Sequence, residues 1–208
     1  MKTEILKVKG DWQEVVDDCR ATVKKEALGK EPSEKFKRRV VIAEHDPIRD
    51  IVFKFKFPAI KYWVAMHFKT HTWRSRTNTQ RNDRQNEYDR NKAPQDAPVD
   101  FIGDANIQHL IDTSRKRLCW QASKETREQW EDLKQTIHDC GYPEVSDAMV
   151  PNCVYRCGCP EMTACPYFKE HGESYYDHLM KQSYGFTGSR DIGQRYDAYN
   201  KVFTEDNE

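Results

Sequence analysis

The chain has 208 residues, of which 37% are apolar, and its 34 basic residues balance 34 acidic ones. This length allows one sizeable core, and zero net charge excludes the overall positive field that drives non-specific nucleic-acid binding. No apolar run approaches the roughly 20 residues needed to cross a bilayer, and the N-terminus has no apolar signal segment, so we expect a cytoplasmic protein without membrane or direct nucleic-acid partners.

The first third of the chain contains three short patterned segments. Residues 11–28 place Trp12, Val15, Val16, Cys19 and Val23 on one side of an amphipathic helix. Residues 38–43 form a β-branched run typical of a strand. Residues 51–57 alternate apolar residues with lysine, which predicts a half-buried strand that ends at Pro58.

A helix is predicted next, over residues 59–71, from the spacing of Ile60, Trp63, Val64 and Phe68. It would place His67 and His71 one turn apart on the same face. A polar loop follows, and Pro94 and Pro98 indicate an irregular connection.

Residues 106–137 have the apolar spacing of one long helix or of two consecutive helices, closed by Gly141 and Pro143. Asn106, Thr113, Arg117 and Lys124 fall close to one line beside the apolar stripe. Polar groups in that position often face a cleft, although an ordinary solvated helix face is the commoner explanation.

Three ordered blocks of this sequence resemble the flavin-dependent thymidylate synthases, the ThyX family, in a divergent, phage-type form. The first block runs from EHDPIR at Glu44 to the TQRNDR segment ending at Arg84, and the second is NIQHLIDTSRKRLCWQASKETR at 106–127. The third is the cysteine-bearing segment 148–165. The family's signature histidine is flanked by arginines, whereas here Thr70 and Thr72 flank His71.

The resemblance implies an α/β (α+β) fold with a twisted, mostly antiparallel sheet and long helices. It implies a catalytic domain at 1–168, followed by an aromatic-rich extension at 169–208. It further implies a homotetramer with sites shared between subunits, located in the host cytoplasm if phage-encoded. The reaction would be reductive methylation of the nucleotide monophosphate dUMP, with FAD as cofactor, NADPH as reductant and methylenetetrahydrofolate as one-carbon donor.

The same resemblance assigns roles to individual residues. Arg117 matches the arginine that holds and polarises the pyrimidine nucleotide, and His71 matches the signature histidine; these two are the catalytic candidates. The remaining substrate candidates are Ser75, Arg81, Arg84 and Gln121. The cofactor candidates are His71, Arg74, Asn106, Gln108 and Asp112.

Two metal hypotheses stand beside this interpretation. His67 and His71 have the i, i+4 spacing of a helical metal pair, and His45 precedes them, so a three-histidine site on a ThyX-like scaffold without flavin could support a metal-assisted nucleotide or base modification.

The cysteines suggest a separate, structural zinc site. Seven cysteines are present, and the four that lie close together are Cys153, Cys157, Cys159 and Cys165. Buried thiols or chance clustering would explain the same pattern.

The C-terminal segment 169–208 is rich in aromatic residues, among them Tyr175, Tyr184, Tyr196 and Tyr199. Aromatic residues at this density could stack on a base, but they more often cover a core or an oligomer interface.

Overall fold

The computed structural model describes residues 2–78, 81–84, 89–166, 168 and 189–205. The strands are β1 (Glu4–Lys9), β2 (Val52–Lys61), β3 (Arg74–Thr77) and β4 (Pro98–Asn106). The helices are α1 (Trp12–Ala21), α2 (Glu34–Ile42), α3 (Tyr62–Lys69), α4 (Ile107–Arg117), α5 (Lys124–Asp139), α6 (Pro143–Ala148), α7 (Asn152–Arg156) and α8 (Ser189–Glu205). Short 3₁₀ helices span Asp46–Asp50 and Asn82–Arg84.

The four described strands form one antiparallel sheet in the order β1-β2-β4-β3. Its two central strands, β2 and β4, are paired along most of their length, from Val52 opposite Asn106 to Lys61 opposite Pro98. Helices cover the sheet. This combination of helices with an antiparallel sheet confirms the expected α/β (α+β) fold class. No helix in the described part of the chain is long and apolar enough to cross a membrane.

The alternating pattern in β2 builds the core. Phe53, Phe55 and Phe57 are fully buried, and their rings pack against other aromatic rings, including Trp73 and Trp130. Burying aromatic side chains of this size is a major stabilising contribution to a domain. The prediction of a half-buried strand in this segment is therefore confirmed.

Gly103 of β4 allows this aromatic packing. A Cβ atom at this position would lie 2.4 Å from Cζ of Phe55 and 2.7 Å from Cζ3 of Trp73. Both distances are far below van der Waals contact, so only glycine fits between the two rings.

The expected strand at residues 38–43 is wrong, because these residues belong to helix α2. Ser33 caps the helix, since its Oγ accepts the N–H of Phe36 at 3.4 Å. Val40 and Val41 are buried on one side of α2. The cap and the helical packing therefore override the preference of β-branched residues for strands.

Pro58 does not end β2, which is a second correction. The strand continues to Lys61 across a register shift between Phe57 and Ile60. Ala59 has a φ of 49°, and its N–H donates to Oδ1 of Asp100 at 3.0 Å. A proline is compatible with a strand at such a bulge, where no N–H is required from it.

Helix α3 is shorter than predicted, because it begins at Tyr62 and ends at Lys69. His67 is in its last turn, whereas His71 lies beyond the C-cap residue Thr70. The prediction that both histidines lie on one helical face is therefore wrong.

Residues 98–106 form strand β4 rather than an irregular connection, and two helices, not one, follow it. Asn106 caps α4, since its Oδ1 accepts the N–H of His109 at 2.8 Å. Lys124 begins the separate helix α5, so it does not share a helical face with Arg117. Gly141, with a φ of 89°, follows the end of α5 as expected.

Helix α8 packs on the same core as the rest of the described chain. Tyr196 and Tyr199 are buried in it, and Arg38 of α2 forms ion pairs with Asp147 and Asp197. These two tyrosines cover the core, as the aromatic content suggested. Tyr175 and Tyr184 lie outside the described residues, and the domain boundary at residue 168 stays a prediction.

Candidate functional site

The sheet places the ends of α3 and α4 side by side. Strands β2 and β4 are antiparallel, so α3 and α4, which follow them directly, start at opposite ends of the sheet. Helix α4 has 11 residues, or roughly 16 Å, which is about half the length of the nine-residue strand β4. Its last residue, Arg117, forms hydrogen bonds with the end of α3 and the segment that follows it, so the two helices meet at their C-terminal ends.

Arg117 is held there by three hydrogen bonds. Its Nε–H donates to Nε2 of His71 at 2.8 Å, and its second amino group donates to the carbonyl oxygen of His67 at 2.8 Å and to Oγ1 of Thr70 at 3.0 Å. Thr70 in turn donates its hydroxyl to the His67 carbonyl at 2.8 Å. The guanidinium is consequently fixed in position, although all three acceptors are neutral.

The charge of Arg117 is not balanced by any carboxylate whose position the structure describes. The side chain is half-buried, and burial alone lowers its pKa; it still stays protonated at neutral pH. Within the described ranges, no Asp or Glu forms an ion pair with it. A partly desolvated cation without a counter-charge is costly unless a ligand supplies one.

His71 is neutral at physiological pH. Burial and, secondly, the charge of Arg117 lower its pKa to about 4. Because its Nε2 accepts a hydrogen bond, the ring proton lies on Nδ1. The ring stacks on Trp73 with 6.3 Å between centroids and 4° between planes, and the Trp73 indole N–H donates to Oγ1 of Thr113 at 3.0 Å.

A second polar cluster lies on another face of α4. Arg115 forms ion pairs with Glu44 and, at 2.8 Å, with Asp112, and its guanidinium lies 3.7 Å from the ring centroid of Tyr155. The Gln108 amide donates to Glu44 at 2.6 Å and to Asp112 at 3.2 Å. The cofactor candidates Gln108 and Asp112 are therefore brought together.

Gln108 has one unsatisfied atom. The side chain is 6% exposed, and within the described chain its Oε1 is buried without a hydrogen-bond partner. A buried acceptor without a partner costs about 1–3 kcal/mol. This oxygen is therefore a candidate contact for a ligand that donates a hydrogen bond.

The other residues predicted to bind nucleotide or cofactor are spread over several segments. Ser75 and Arg74 lie in β3. Arg81 is exposed and forms an ion pair with Asp83, and Arg84 is also exposed.

Two further candidates form hydrogen bonds within the chain. The amide of Gln121 donates to the carbonyl oxygen of Thr163 at 3.2 Å, and Asn106 serves as the cap of α4. The roles predicted for all of these residues stay predictions.

The three histidines of the metal hypothesis are not assembled into one site. His45 Nδ1 lies 3.7 Å from Sγ of Cys19, and His67 Nδ1 lies 3.0 Å from Oγ1 of Thr126, while His71 binds Arg117. Among the residues with a described position, no three His, Cys, Asp or Glu side chains are arranged to hold a metal ion.

The cysteines are grouped differently from the expected set. Cys153, Cys159 and Cys165 line one small cavity, and the fourth cysteine that lines it is Cys119, from the connection between α4 and α5. Cys157 ends helix α7 in a left-handed conformation, with a φ of 54°. Cys119 was absent from the predicted set because it is distant in sequence from the other three.

The cavity of about 350 Å³ beside β2 and α5 is not suited to a phosphate. Its polar lining includes the carboxylates of Glu125, Glu128 and Asp132. Lys61 is the basic residue of the described lining, and it already pairs with Glu125 at 3.0 Å. Negative charge dominates this cavity, so it repels anionic ligands.

Three solved structures share the architecture of this chain. The UMP/dUMP methylase PolB from Streptomyces cacaoi, bound with 5-Br dUMP, has a TM-score of 0.56 at 12% identity, over 70% of this chain and 93% of that one. The flavin-dependent thymidylate synthase ThyX from Helicobacter pylori, complexed with FAD and dUMP, has a TM-score of 0.58 at 10% identity, over 71% and 99%. A second structure of the Helicobacter pylori enzyme with FAD and dUMP has a TM-score of 0.58 at 9% identity, over 72% and 99%.

These likenesses show that the chain has the ThyX fold. Neither a family model nor a curated protein matches its sequence. At 9–12% identity, the fold alone is shared, and the chemistry must be argued from the side chains of this chain.

Proposed function

We propose that this protein is a ThyX-type enzyme that binds dUMP and methylates its base, with methylenetetrahydrofolate as one-carbon donor and NADPH as reductant. The observation that carries the proposal is the half-buried guanidinium of Arg117, which is held by neutral acceptors and has no carboxylate partner in the described chain. An anionic nucleotide would supply the missing negative charge.

Arg117 suits a pyrimidine nucleotide because a guanidinium can donate to both a base carbonyl and a phosphate oxygen. His71 supports this role in two ways. Its Nε2 fixes the direction of the Arg117 fork, and its neutral ring adds no second positive charge. In this proposal Arg117 binds and polarises the nucleotide, and His71 positions Arg117.

The cofactor of this proposal is FAD, which would lie beside the Gln108 cluster. The buried Oε1 of Gln108, which has no hydrogen-bond partner among the described residues, can accept a hydrogen bond from a hydroxyl or ring N–H, and FAD carries both kinds of donor. Arg115 offsets one of the two negative charges of Glu44 and Asp112, so the cluster keeps a single net negative charge. When bound, FAD would supply the redox chemistry that no side chain provides.

The two halves of the proposed site lie on different sides of α4. Gln108 and Arg117 are nine positions apart, which at about 100° per residue is half a turn in rotation. A single chain therefore presents Arg117, proposed to bind the nucleotide, and Gln108, proposed to bind the cofactor, in opposite directions. This arrangement supports a homotetramer in which one subunit completes the site of another.

Incubation with FAD, followed by an absorbance spectrum from about 300 to 550 nm and a dUMP assay, tests the proposal. We expect the purified protein to carry or acquire oxidised flavin. With NADPH and methylenetetrahydrofolate, the mass of dUMP should increase by one CH2 unit, because a methyl group replaces a hydrogen atom of the base. A protein that binds FAD but leaves dUMP unchanged would contradict the proposal that dUMP is the substrate. A protein that stays colourless with excess FAD would contradict the proposal that FAD is the cofactor.

A further inference from the structure

Four cysteine side chains from separate parts of the chain line one small cavity. Cys119 follows α4, Cys153 lies in α7, and Cys159 and Cys165 come from the segment after α7. The cavity has a volume of about 10 Å³. A cavity of this size holds about one water molecule, so the space suits one small ion or molecule rather than an organic ligand.

The four thiols are close enough to influence one another. Cys153 interacts electrostatically with Cys119, Cys159 and Cys165, and Cys119 interacts with Cys159 and Cys165. Within the described residues, none of the four is part of a disulfide. The group is therefore a set of neighbouring thiols.

One cysteine is already oriented by the backbone. The N–H of Phe168 donates to Sγ of Cys165 at 3.4 Å. Such N–H to sulfur hydrogen bonds stabilise a thiolate and, in metal sites, orient it toward the ion.

We propose that Cys119, Cys153, Cys159 and Cys165 together bind one zinc ion. Four thiolates at about 2.3 Å are a common structural zinc site, and soft sulfur ligands select zinc over harder cations. In this structure the side chains are not arranged as ligands. Rotation of the thiols toward the cavity is therefore part of the proposal.

The proposed site has a clear structural consequence. Cys119 lies two positions after Arg117, and the other three cysteines belong to the segment that packs beside α4. A zinc ion would tie the end of α4 to this segment and so restrict the motion of Arg117. The inference does not depend on the nucleotide chemistry, because a structural ion would be present whatever the substrate.

The test is the zinc content of the purified protein and of matched cysteine variants. We expect about one zinc per chain in the wild type, in Cys157→Ser and in Cys140→Ser, the last a change at an exposed position outside the cavity. Cys119→Ser and Cys159→Ser should each lose most of the zinc. Loss in Cys157→Ser with retention in Cys119→Ser would overturn this ligand set.

A second measurement remains decisive if a variant fails to fold. Zinc is added to metal-free wild-type protein, and the thiols that react with a thiol reagent are counted before and after. We expect one equivalent of zinc to protect four thiols. The proposal would be overturned if zinc protected none of the thiols. It would also be overturned if the protein purified with iron and acid-labile sulfide in place of zinc.

Discussion

Arg117 and His71 are joined by a hydrogen bond of 2.8 Å, in which Nε–H of Arg117 is the donor and Nε2 of His71 the acceptor. This direction requires a neutral imidazole, since a protonated ring has no acceptor atom. The depressed pKa of His71, about 4, satisfies that requirement at physiological pH. The two residues therefore act as one unit, in which the charge resides on Arg117 alone.

The first prediction concerns nucleotide affinity. Arg117→Ala should weaken dUMP binding by about 1.5 to 3 kcal/mol, or roughly 10- to 150-fold in Kd, because a charged hydrogen bond is lost. Equilibrium dialysis or calorimetry would measure it. Arg39→Ala, at an exposed position of α2, is the matched control and should bind dUMP as the wild type does. Equal affinity in both variants would remove Arg117 from the site.

The second prediction concerns stability at acidic pH. Burial and the charge of Arg117 lower the pKa of His71 from about 6.5 in the unfolded chain to about 4 in the native protein. Between these values the unfolded chain binds more protons, so the free energy of unfolding should fall as the pH falls from about 6.5 to 4.

Urea unfolding at pH 5 and pH 7 would measure this decrease. In His71→Gln the difference between the two pH values should be smaller than in the wild type, because glutamine can still accept from Arg117 but does not titrate. His67 and His109 also have lowered pKa values, and they contribute equally in both proteins. An unchanged pH dependence would show that His71 is not responsible.

The third prediction concerns a buried lysine in α5. Lys134 is 2% exposed, its ammonium donates to the Ser146 carbonyl and, at 2.9 Å, to Oδ1 of Asn200, and burial lowers its pKa to about 7. Asp147 opposes this shift only in part. Above pH 7 the unfolded chain therefore holds the proton that the folded protein releases, so the contribution of Lys134 to stability should rise with pH.

Comparison with Lys134→Met isolates that contribution. Between pH 7 and about 8.5 the unfolding free energy of the wild type should rise relative to that of the variant. The cysteine thiols, whose usual pKa is about 8.5, are the same in both proteins, so their titration cancels in this difference. Parallel curves for the two proteins would contradict a native pKa near neutrality.

The fourth prediction concerns core packing. Gly103→Ala should destabilise the protein by about 1 to 3 kcal/mol, since its Cβ would lie 2.4 Å from Phe55 and 2.7 Å from Trp73. In contrast, Gly193 is in helix α8, and its added Cβ would meet ordinary contacts at 3.6 Å. Gly193→Ala should therefore stabilise the protein by about 0.5 to 1 kcal/mol. Thermal or urea unfolding measures both, and similar effects at the two positions would contradict the packing argument.

Local sequence patterns correctly predicted a strand or helix where the burial of its side chains follows the same periodicity as the sequence. The alternation of Phe53, Phe55 and Phe57 identified the central strand, because one face of β2 is buried. Strand β4 was not predicted, since Pro98 and Gly103 are poor strand formers. It forms because it pairs with β2 on one side and β3 on the other, and such long-range pairing leaves little local signal.

The candidate site shows the same division. Arg117 and His71 were each predicted from motif resemblance, but their contact depends on α3 and α4 meeting at their C-terminal ends, which no local pattern reveals. The prediction that His67 and His71 share one helical face was wrong, because α3 ends at Lys69. Cys119 could not be grouped with the other cysteines, because only the packing of the α4–α5 connection against α7 brings them to one cavity.

The direct junctions between strands and helices restrict where the chain can change length. Helix α3 begins at the residue after β2, and α4 begins at the residue after β4. One inserted residue at either junction would rotate the helix by about 100° and shift it by about 1.5 Å, which would separate Arg117 from His71. Proteins that use this site should therefore differ in length elsewhere, above all between Thr77 and Pro98, where an insertion leaves both helices in register.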